Sequence, residues 1–355
     1  MKILHIAYFG RHGIVTGIVE AVINMTESQR KLGHDVRTYI PFKHPMQDGK
    51  NIYYIESFKY LAHAVREYKP DIVVFDGFYD KYQIRLSCLL KLMRIPYIIV
   101  FHGGASSDNA KKHWLKKKVA NVLFFNRFVR WANRVVYLSE NEKSRSIFLK
   151  TNRHASILPN GVMINKDLNY KAFSGKLKIL FFSRLDWKGK GLDVLCDAID
   201  MLRESGYDNK VEFMFYGTKE SADCDRLFAF GEMTKYCGYV SGGDKNEAFK
   251  SCDVFILPSR SEGMPVAVLE ALSYGLPCIV TPETNMATLI EDNNCGWVVY
   301  LSAKDIYKTI VNVINTYPNN DRMYYDNCMK TAAMFDWNTL AEKSIEVYKK
   351  TIYNE

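Results

Sequence analysis

The stretch SRSEGMPVAVLEALSYGLP (259–277) carries two glutamates, Glu262 and Glu270, eight positions apart. The first precedes a glycine, and the second lies inside an otherwise apolar helical pattern. A buried carboxylate without a partner is costly, so solvent or a ligand must answer each one. Carboxylates accept hydrogen bonds from sugar hydroxyls and repel phosphate. A phosphate calls instead for cations, and FFSRLDWKGKG (181–191) supplies Arg184 and Lys190. Arginine offers a planar fork for phosphate oxygens and lysine a point charge. Between them these residues could neutralise a diphosphate with no metal, while the acids hold a sugar.

To act on one ligand, these residues must sit at the ends of strands. The runs KILHIAYF, DVRTYI, DIVVF, YIIVF, RVVYL and ASILP are β-rich, with amphipathic segments between most of them. Such alternation predicts βαβ units and a mainly parallel sheet. The polar stretch 165–176 reads as a linker, after which KILFFSRL, VEFMFYG, DVFILPS and PCIVT restart the rhythm. The expected fold class is therefore α/β, with two doubly wound, Rossmann-like domains facing a central cleft, where ligands meet the carboxyl ends of the strands. The expected divisions are 1–168 on the acceptor side, 169–335 on the donor side, and a helix over 336–355 that folds back on the N-terminal domain. DVFILPS ends just before Glu262, and Pro265 and Gly275 bracket a helix expected over 265–274. The amides at its start favour an anion, and Glu270 tilts back toward that end.

The ordered set of motifs resembles the retaining glycosyltransferases of family 4. The E-x(7)-E pair and the R-x(5)-K spacing of Arg184 and Lys190 carry the resemblance. TGIVEAVINMTESQRKLGHDV, FHGG, LPNGV, YCGYV and FDW extend it over nearly the whole chain, in the family's order. It implies the GT-B fold and transfer of a sugar from a nucleotide diphosphate sugar, with retention, to a saccharide or lipid-linked acceptor in bacterial cell-surface polysaccharide synthesis. It implies that Arg184 and Lys190 hold the diphosphate, and that Glu262, with the amides of Gly263 and Met264, holds sugar hydroxyls. Glu270 would bind the ribose and His102 would stand at the reaction centre. The resemblance also places Gly17, Gly217, Tyr239, Pro265 and Val266 around the donor. Gly103 is assigned to the acceptor side, and His12 reads equally as a polar loop residue or an acceptor contact. Thr16-Gly17 departs from the family's usual Gly-Gly, and Gly217 lacks a frequent second glycine. No metal or cofactor is expected beyond the nucleotide sugar as co-substrate.

Read without the resemblance, His102 is a satisfied histidine at a strand end, and His5, inside a strand, is structural. The composition, 48% hydrophobic and 25% charged over 355 residues, suits a globular chain with two cores. The 8 cysteines lack metal or disulfide spacing, which suits reduced thiols in the cytoplasm. No signal peptide is read at the start. The net charge of +9 is local: no acidic residue lies between Asp108 and Glu140, where Lys111, Lys112, Lys116, Lys117, Lys118, Arg127, Arg130 and Arg134 fall. At about 100° per residue, Lys112, Lys116, Arg127, Arg130 and Arg134 share one helical stripe. Phe124, Phe128 and Trp131 lie beside it, and Leu115, Val119, Val122, Phe125 and Val129 are expected to pack inward. A basic stripe beside aromatics suits an anionic membrane surface, on the inner face of the cell membrane, over Lys111–Arg134. A solvated basic face is the plainer reading, and nucleic acid is not the expected partner. A dinucleotide oxidoreductase is disfavoured, because GRHGIVTG lacks the G-x-G-x-x-G spacing. A non-catalytic binder of nucleotide sugars or polysaccharide is the remaining alternative. The nucleotide is left open among UDP, GDP and ADP.

Overall fold

The computed structural model describes residues 1–7, 17–40, 51–55, 57–105, 114–165 and 168–353. The chain divides into two units, Met1–Gly161 with Trp337–Glu355, and Val162–Asp336. The first is built on β1 (Lys2–Ala7), β2 (Asp35–Ile40), β3 (Ile52–Tyr54), β4 (Ile72–Asp76), β5 (Tyr97–Val100), β6 (Arg134–Tyr137) and β7 (Ala155–Ile157). Their order is β3-β2-β1-β4-β5-β6-β7. The second contains β8 (Leu177–Phe182), β9 (Val211–Tyr216), β10 (Thr234–Gly238), β11 (Val254–Leu257), β12 (Cys278–Val280) and β13 (Gly296–Val298), in the order β10-β9-β8-β11-β12-β13. Each named pair is parallel. Both sheets are thus doubly wound, and each reverses direction beside its first strand, between β1 and β4 or between β8 and β11. Such a reversal opens a crevice at the carboxyl ends of the strands, where ligands of open α/β sheets bind.

The strands explain themselves as apolar runs, since helices cover both faces of a parallel sheet. Ile72, Val73, Val74 and Phe75 of β4 are all fully buried. Each such side chain contributes roughly 1.5–3 kcal/mol by leaving water. Only a few polar residues interrupt these runs, among them His5 in β1 and Asp76 at the end of β4, both buried.

Two expectations about organisation change in the structure. The chain passes to the second unit at Gly161/Val162, and the stretch expected as a linker packs on that unit. Asp321 accepts from Tyr170 Oη (2.8 Å) and Phe173 N (2.7 Å), and Tyr325 Oη donates to the Leu168 carbonyl (3.1 Å). Polar residues there gave a linker signal because their partners lie far away in sequence. At the C-terminus, the Trp337–Tyr353 helix lies in the first unit beside the Gly17–Lys31 helix.

The basic segment also differs. Trp114–Ala120 and Asn126–Trp131 are α-helical, but Asn121–Phe125 between them is a π-turn. That wider turn breaks the 100° phase on which the stripe rested. Phe125 and Phe128 anchor the segment, with Phe78 tilted against Phe125 at 4.9 Å between centroids and Tyr97 stacked on Phe128 at 5.6 Å. Phe128, expected beside the stripe, is therefore buried, while Val119 and Val122, expected inside, are 52% and 68% exposed. Arg134 belongs to β6, where it donates to Thr351 Oγ1 (2.9 Å) and Ser156 Oγ (3.2 Å). Lys111 and Lys112 lie outside the described residues. Among the described residues, no helix is long and apolar enough to cross a membrane. All 8 cysteines are free, and six of them are buried.

Candidate functional site

Strand ends at the second reversal bring the sequence-level candidates together. After β8 the chain makes a tight turn in which Asp186 Oδ1 accepts from Gly189 N (2.9 Å) and the Asp186 carbonyl accepts from Lys190 N (3.0 Å). Gly191 closes the turn at φ +68°, where a Cβ would collide with the Pro258 carbonyl. Only glycine lets the β8 turn press so closely on the chain leaving β11. Arg260 fastens the two loops: its backbone N–H donates to the Gly189 carbonyl (3.0 Å), and its guanidinium forks onto Asp193 (2.7 and 3.0 Å). Burial opposes ionisation of Asp193, but Arg260 and Lys188 outweigh it and hold the carboxyl below its usual range.

This fastening sets Lys190 against Glu262. Lys190 Nζ donates to Glu262 Oε1 at 2.5 Å, and Ser259 Oγ donates to the same oxygen at 2.7 Å. The two charged side chains are only 15% and 14% exposed. Asn285 Nδ2 clamps the backbone by donating to the carbonyls of Glu262 (2.7 Å) and Gly263 (2.9 Å), while Glu262 N donates to the Glu283 carbonyl (3.0 Å). The carboxylate is thus fixed before any ligand arrives. Among the described residues, both donors fall on Oε1, so Oε2 keeps its accepting capacity for a hydroxyl.

The helix expected over 265–274 runs from Val266 to Ser273, with Pro265 as its N-cap rather than its first residue. Met264, Pro265 and Val266 are buried, and in the first turn Val268 N donates to the Pro265 carbonyl (3.1 Å). Glu270, a turn into it, pairs with Lys245 of the Gly242–Lys250 helix. Gly275 follows the helix end at φ +76°. Arg184, at the mouth of β8, is half exposed and pairs with Glu220. Gly217, after β9, is approached so closely by the Ser183 carbonyl that a side chain would collide with it. Tyr239, following β10, is 47% exposed. In this unit the structure joins Lys190 to Glu262 and gives Arg184 and Glu270 partners of their own.

In the first unit, His102 follows β5 at φ +48°, an uncommon conformation for a residue with a side chain. Its Nε2 lies 3.2 Å from Asp76 Oδ1, and its Nδ1 is buried without a partner among the described residues. Asp76 Oδ2 lies 2.7 Å from His5 Nδ1. Burial raises the Asp76 pKa, but His5 and His102 overcome it and hold it at about 2. Gly103 was expected near an acceptor, yet its N–H donates to Glu142 Oε1 at 2.6 Å, which gives it a structural duty. Glu142 also accepts from Leu138 N (2.5 Å), while burial pushes its pKa up. Gly17 is exposed at the start of the Gly17–Lys31 helix, and His12 and Thr16 lie outside the described residues.

Sequence reasoning missed Ser259, Arg260, Asn285, Lys245, Asp76 and Gln29, and took His5 as purely structural. A signal was available for His5 and Asp76: KILHIA carries a histidine within an apolar run, and IVVFD ends such a run on an acid. The others are ordinary polar residues whose partners only the fold reveals.

Comparison with known proteins agrees with this architecture. Residues 15–166 match the family model described as Glycosyltransferase Family 4, and residues 176–316 match Glycosyl transferases group 1. The chain is 27% identical over 289 residues to N,N'-diacetylbacillosaminyl-diphospho-undecaprenol alpha-1,3-N-acetylgalactosaminyltransferase of Campylobacter jejuni, covering 74% of this chain and 73% of that one. A glycosyltransferase from Rickettsia africae superposes with a TM-score of 0.75 at 18% identity, covering 100% of this chain and 99% of that one. HepE of Anabaena, solved in complex with UDP, superposes with a TM-score of 0.75 at 16% identity, covering 99% of this chain and 100% of that one. With a glycosyltransferase model on each unit and two doubly wound parallel sheets, the chain belongs to glycosyltransferase family 4 and has the GT-B fold.

Proposed function

We propose that this transferase moves a sugar from a nucleotide diphosphate sugar to a saccharide or lipid-linked saccharide, with retention and without a metal, in building a bacterial cell-surface polysaccharide. The observation that carries the reading is the fixed Lys190–Glu262–Ser259 contact at the reversal between β8 and β11. Lys190 keeps two further N–H donors for a diphosphate, and Arg184 adds a fork once released from Glu220. That exposed pair costs only about 0–1 kcal/mol to break. Glu262 Oε2, with the amides of Gly263 and Met264, receives the sugar, Glu270 the ribose, and His102 a hydroxyl at the reacting end. The acceptor oxygen bonds to the anomeric carbon on the face the diphosphate leaves, and a leaving phosphate oxygen takes the acceptor's proton. The named Campylobacter relative uses a diphospho-undecaprenol acceptor and the Anabaena structure holds UDP, which favours a UDP-sugar donor and a lipid-linked acceptor.

A thermal-shift screen of UDP-, GDP- and ADP-sugars tests the donor. A saturating donor at about 100 times its Kd adds roughly 2.7 kcal/mol to the native state. The reading expects one nucleotide class to raise the melting temperature and the product's anomeric proton to keep the donor's configuration. Inverted product removes the retaining mechanism, and donor binding without product favours the non-catalytic reading.

We further propose that the Trp114–Trp131 segment meets an anionic membrane on the cytoplasmic side. Val119, Val122, Leu123 and Phe124 are all more than half exposed on it, near Lys118 and Arg127. Leu123→Glu with Phe124→Glu is expected to cut co-sedimentation with anionic liposomes about tenfold or more, since each loses an apolar contact and adds a repelled charge. Equal sedimentation with neutral and anionic vesicles would remove this contact.

A further inference from the structure

A directional chain of hydrogen bonds runs from the C-terminal helix to His102. Ser344 Oγ donates to the Ala341 carbonyl (2.7 Å), so toward Gln29 it can only accept. Gln29 Nε2 therefore donates to Ser344 Oγ (3.0 Å), and also lies 3.4 Å from Tyr348 Oη. That orientation turns the amide oxygen of Gln29 toward His5 Nε2, 3.2 Å away. An amide oxygen accepts only, so His5 Nε2 carries a proton. Asp76, ionised, also accepts only, so His5 Nδ1 carries one as well. Both ring nitrogens of His5 face acceptors, which makes the side chain an imidazolium. It is 2% exposed, and Asp76 is 5% exposed, so their charges compensate each other in the interior.

Among the described residues Asp76 is the one carboxylate hydrogen-bonded to either ring, and it cannot compensate two buried cations; Glu142, which also acts on His102, is driven toward its neutral form by burial. His102 presents Nε2–H to Asp76 Oδ1, and with the charge of Asp76 already matched its ring stays neutral. Its Nδ1 is then a lone-pair acceptor, buried and unanswered by the described residues. Burying such an atom is costly until a donor arrives. The ionised diphosphate of a nucleotide sugar carries no proton to donate, whereas a sugar hydroxyl does.

We propose that His5 is a positioning residue: a buried imidazolium that pins Asp76 and so holds His102 as a neutral Nε2–H tautomer whose Nδ1 accepts from a hydroxyl of the sugar substrate. The hydroxyl rests on the transferase reading; the protonation states do not. The test is long-range proton–nitrogen NMR on the full chain with 15N-labelled histidine at about pH 7, assigned with His5→Asn and His102→Asn. The expected pattern is two protonated nitrogens on His5, and on His102 a protonated Nε2 beside an unprotonated Nδ1. A neutral His5, or a proton on His102 Nδ1, overturns the proposal. Adding the UDP-, GDP- or ADP-sugar that raises the melting temperature should move the His102 Nδ1 signal, and inorganic sulfate, which has no proton to donate, should not. A histidine pattern as expected with no response to any nucleotide sugar would refute the transferase reading of the site and leave the relay standing. His5→Asn, which keeps a donor toward Asp76 but loses the charge, is expected to lower kcat about tenfold, or roughly 1.4 kcal/mol, with donor KM changed less than twofold. Unchanged kcat overturns the positioning role. Should His5→Asn not fold, neutron diffraction of the deuterated wild-type protein reads the same protons directly.

Discussion

Glu262→Gln is expected to lower kcat/KM for sugar transfer by about 100- to 1,000-fold, the energy of one buried charge-assisted contact or roughly 3–4 kcal/mol. The amide keeps the shape of the side chain but accepts more weakly from Lys190 and Ser259, and it leaves Lys190 without a counter-charge in a site only 15% exposed. Lys190→Ala should lose a similar amount through the diphosphate. Because the two side chains touch, the double variant should lose far less than the sum of the singles. Kinetics on the four proteins, with unfolding curves to confirm that each folds, provide the cycle. Full additivity would mean that the residues serve different ligands, and unchanged turnover in both singles would end the assignment.

Asp76→Ala should destabilise the first unit by about 3–5 kcal/mol, since it strands His5 and its charge in the interior. Ser344 and Tyr348 lie at the far end of the same chain of contacts, so the C-terminal helix should loosen with it. A pH signature accompanies the loss. The folded pKa of Asp76 is about 2, against an ordinary 3.8, so the native state binds this proton less tightly than the unfolded chain. The stabilisation, roughly 2 kcal/mol, is complete above about pH 4 and fades as pH falls toward 2. Wild type should therefore show a steeper acid limb across that window than Asp76→Ala, in which Asp193 and Asp321, also held low, still contribute. Urea midpoints read by tryptophan fluorescence from pH 2.5 to about 7 would measure it. An identical acid limb in both proteins would show that Asp76 is not held ionised by its two histidines.

The elements that position the site were legible where their signal is local. Apolar runs reveal the strands, and the proline and glycine around 265–275 bracket the helix to within a residue at each end. Lys190 and Glu262 could be linked because both follow strands whose ends must converge. The basic segment failed for a physical reason: a π-turn over Asn121–Phe125 resets the periodicity, and no composition rule announces it. The relay from Gln29 through His5 to Asp76 was illegible as a set, since its members lie on separate elements from Gly17–Lys31 to Trp337–Tyr353. His5 and Asp76 each stand out singly in an apolar strand, but only the parallel register of β1 beside β4 makes them neighbours.

The second unit is inserted in the first, for the chain leaves at Gly161 and returns at Trp337. On the ribosome this imposes an order. Residues 162–336 can collapse as soon as they emerge, because their sheet needs nothing that follows. The earlier half-unit must wait, its amide at Gln29 lacking Ser344 until the final helix is translated. Nascent chains halted before that helix should thus expose a finished insert beside an unfinished host, an assembly in which the segment made first matures last.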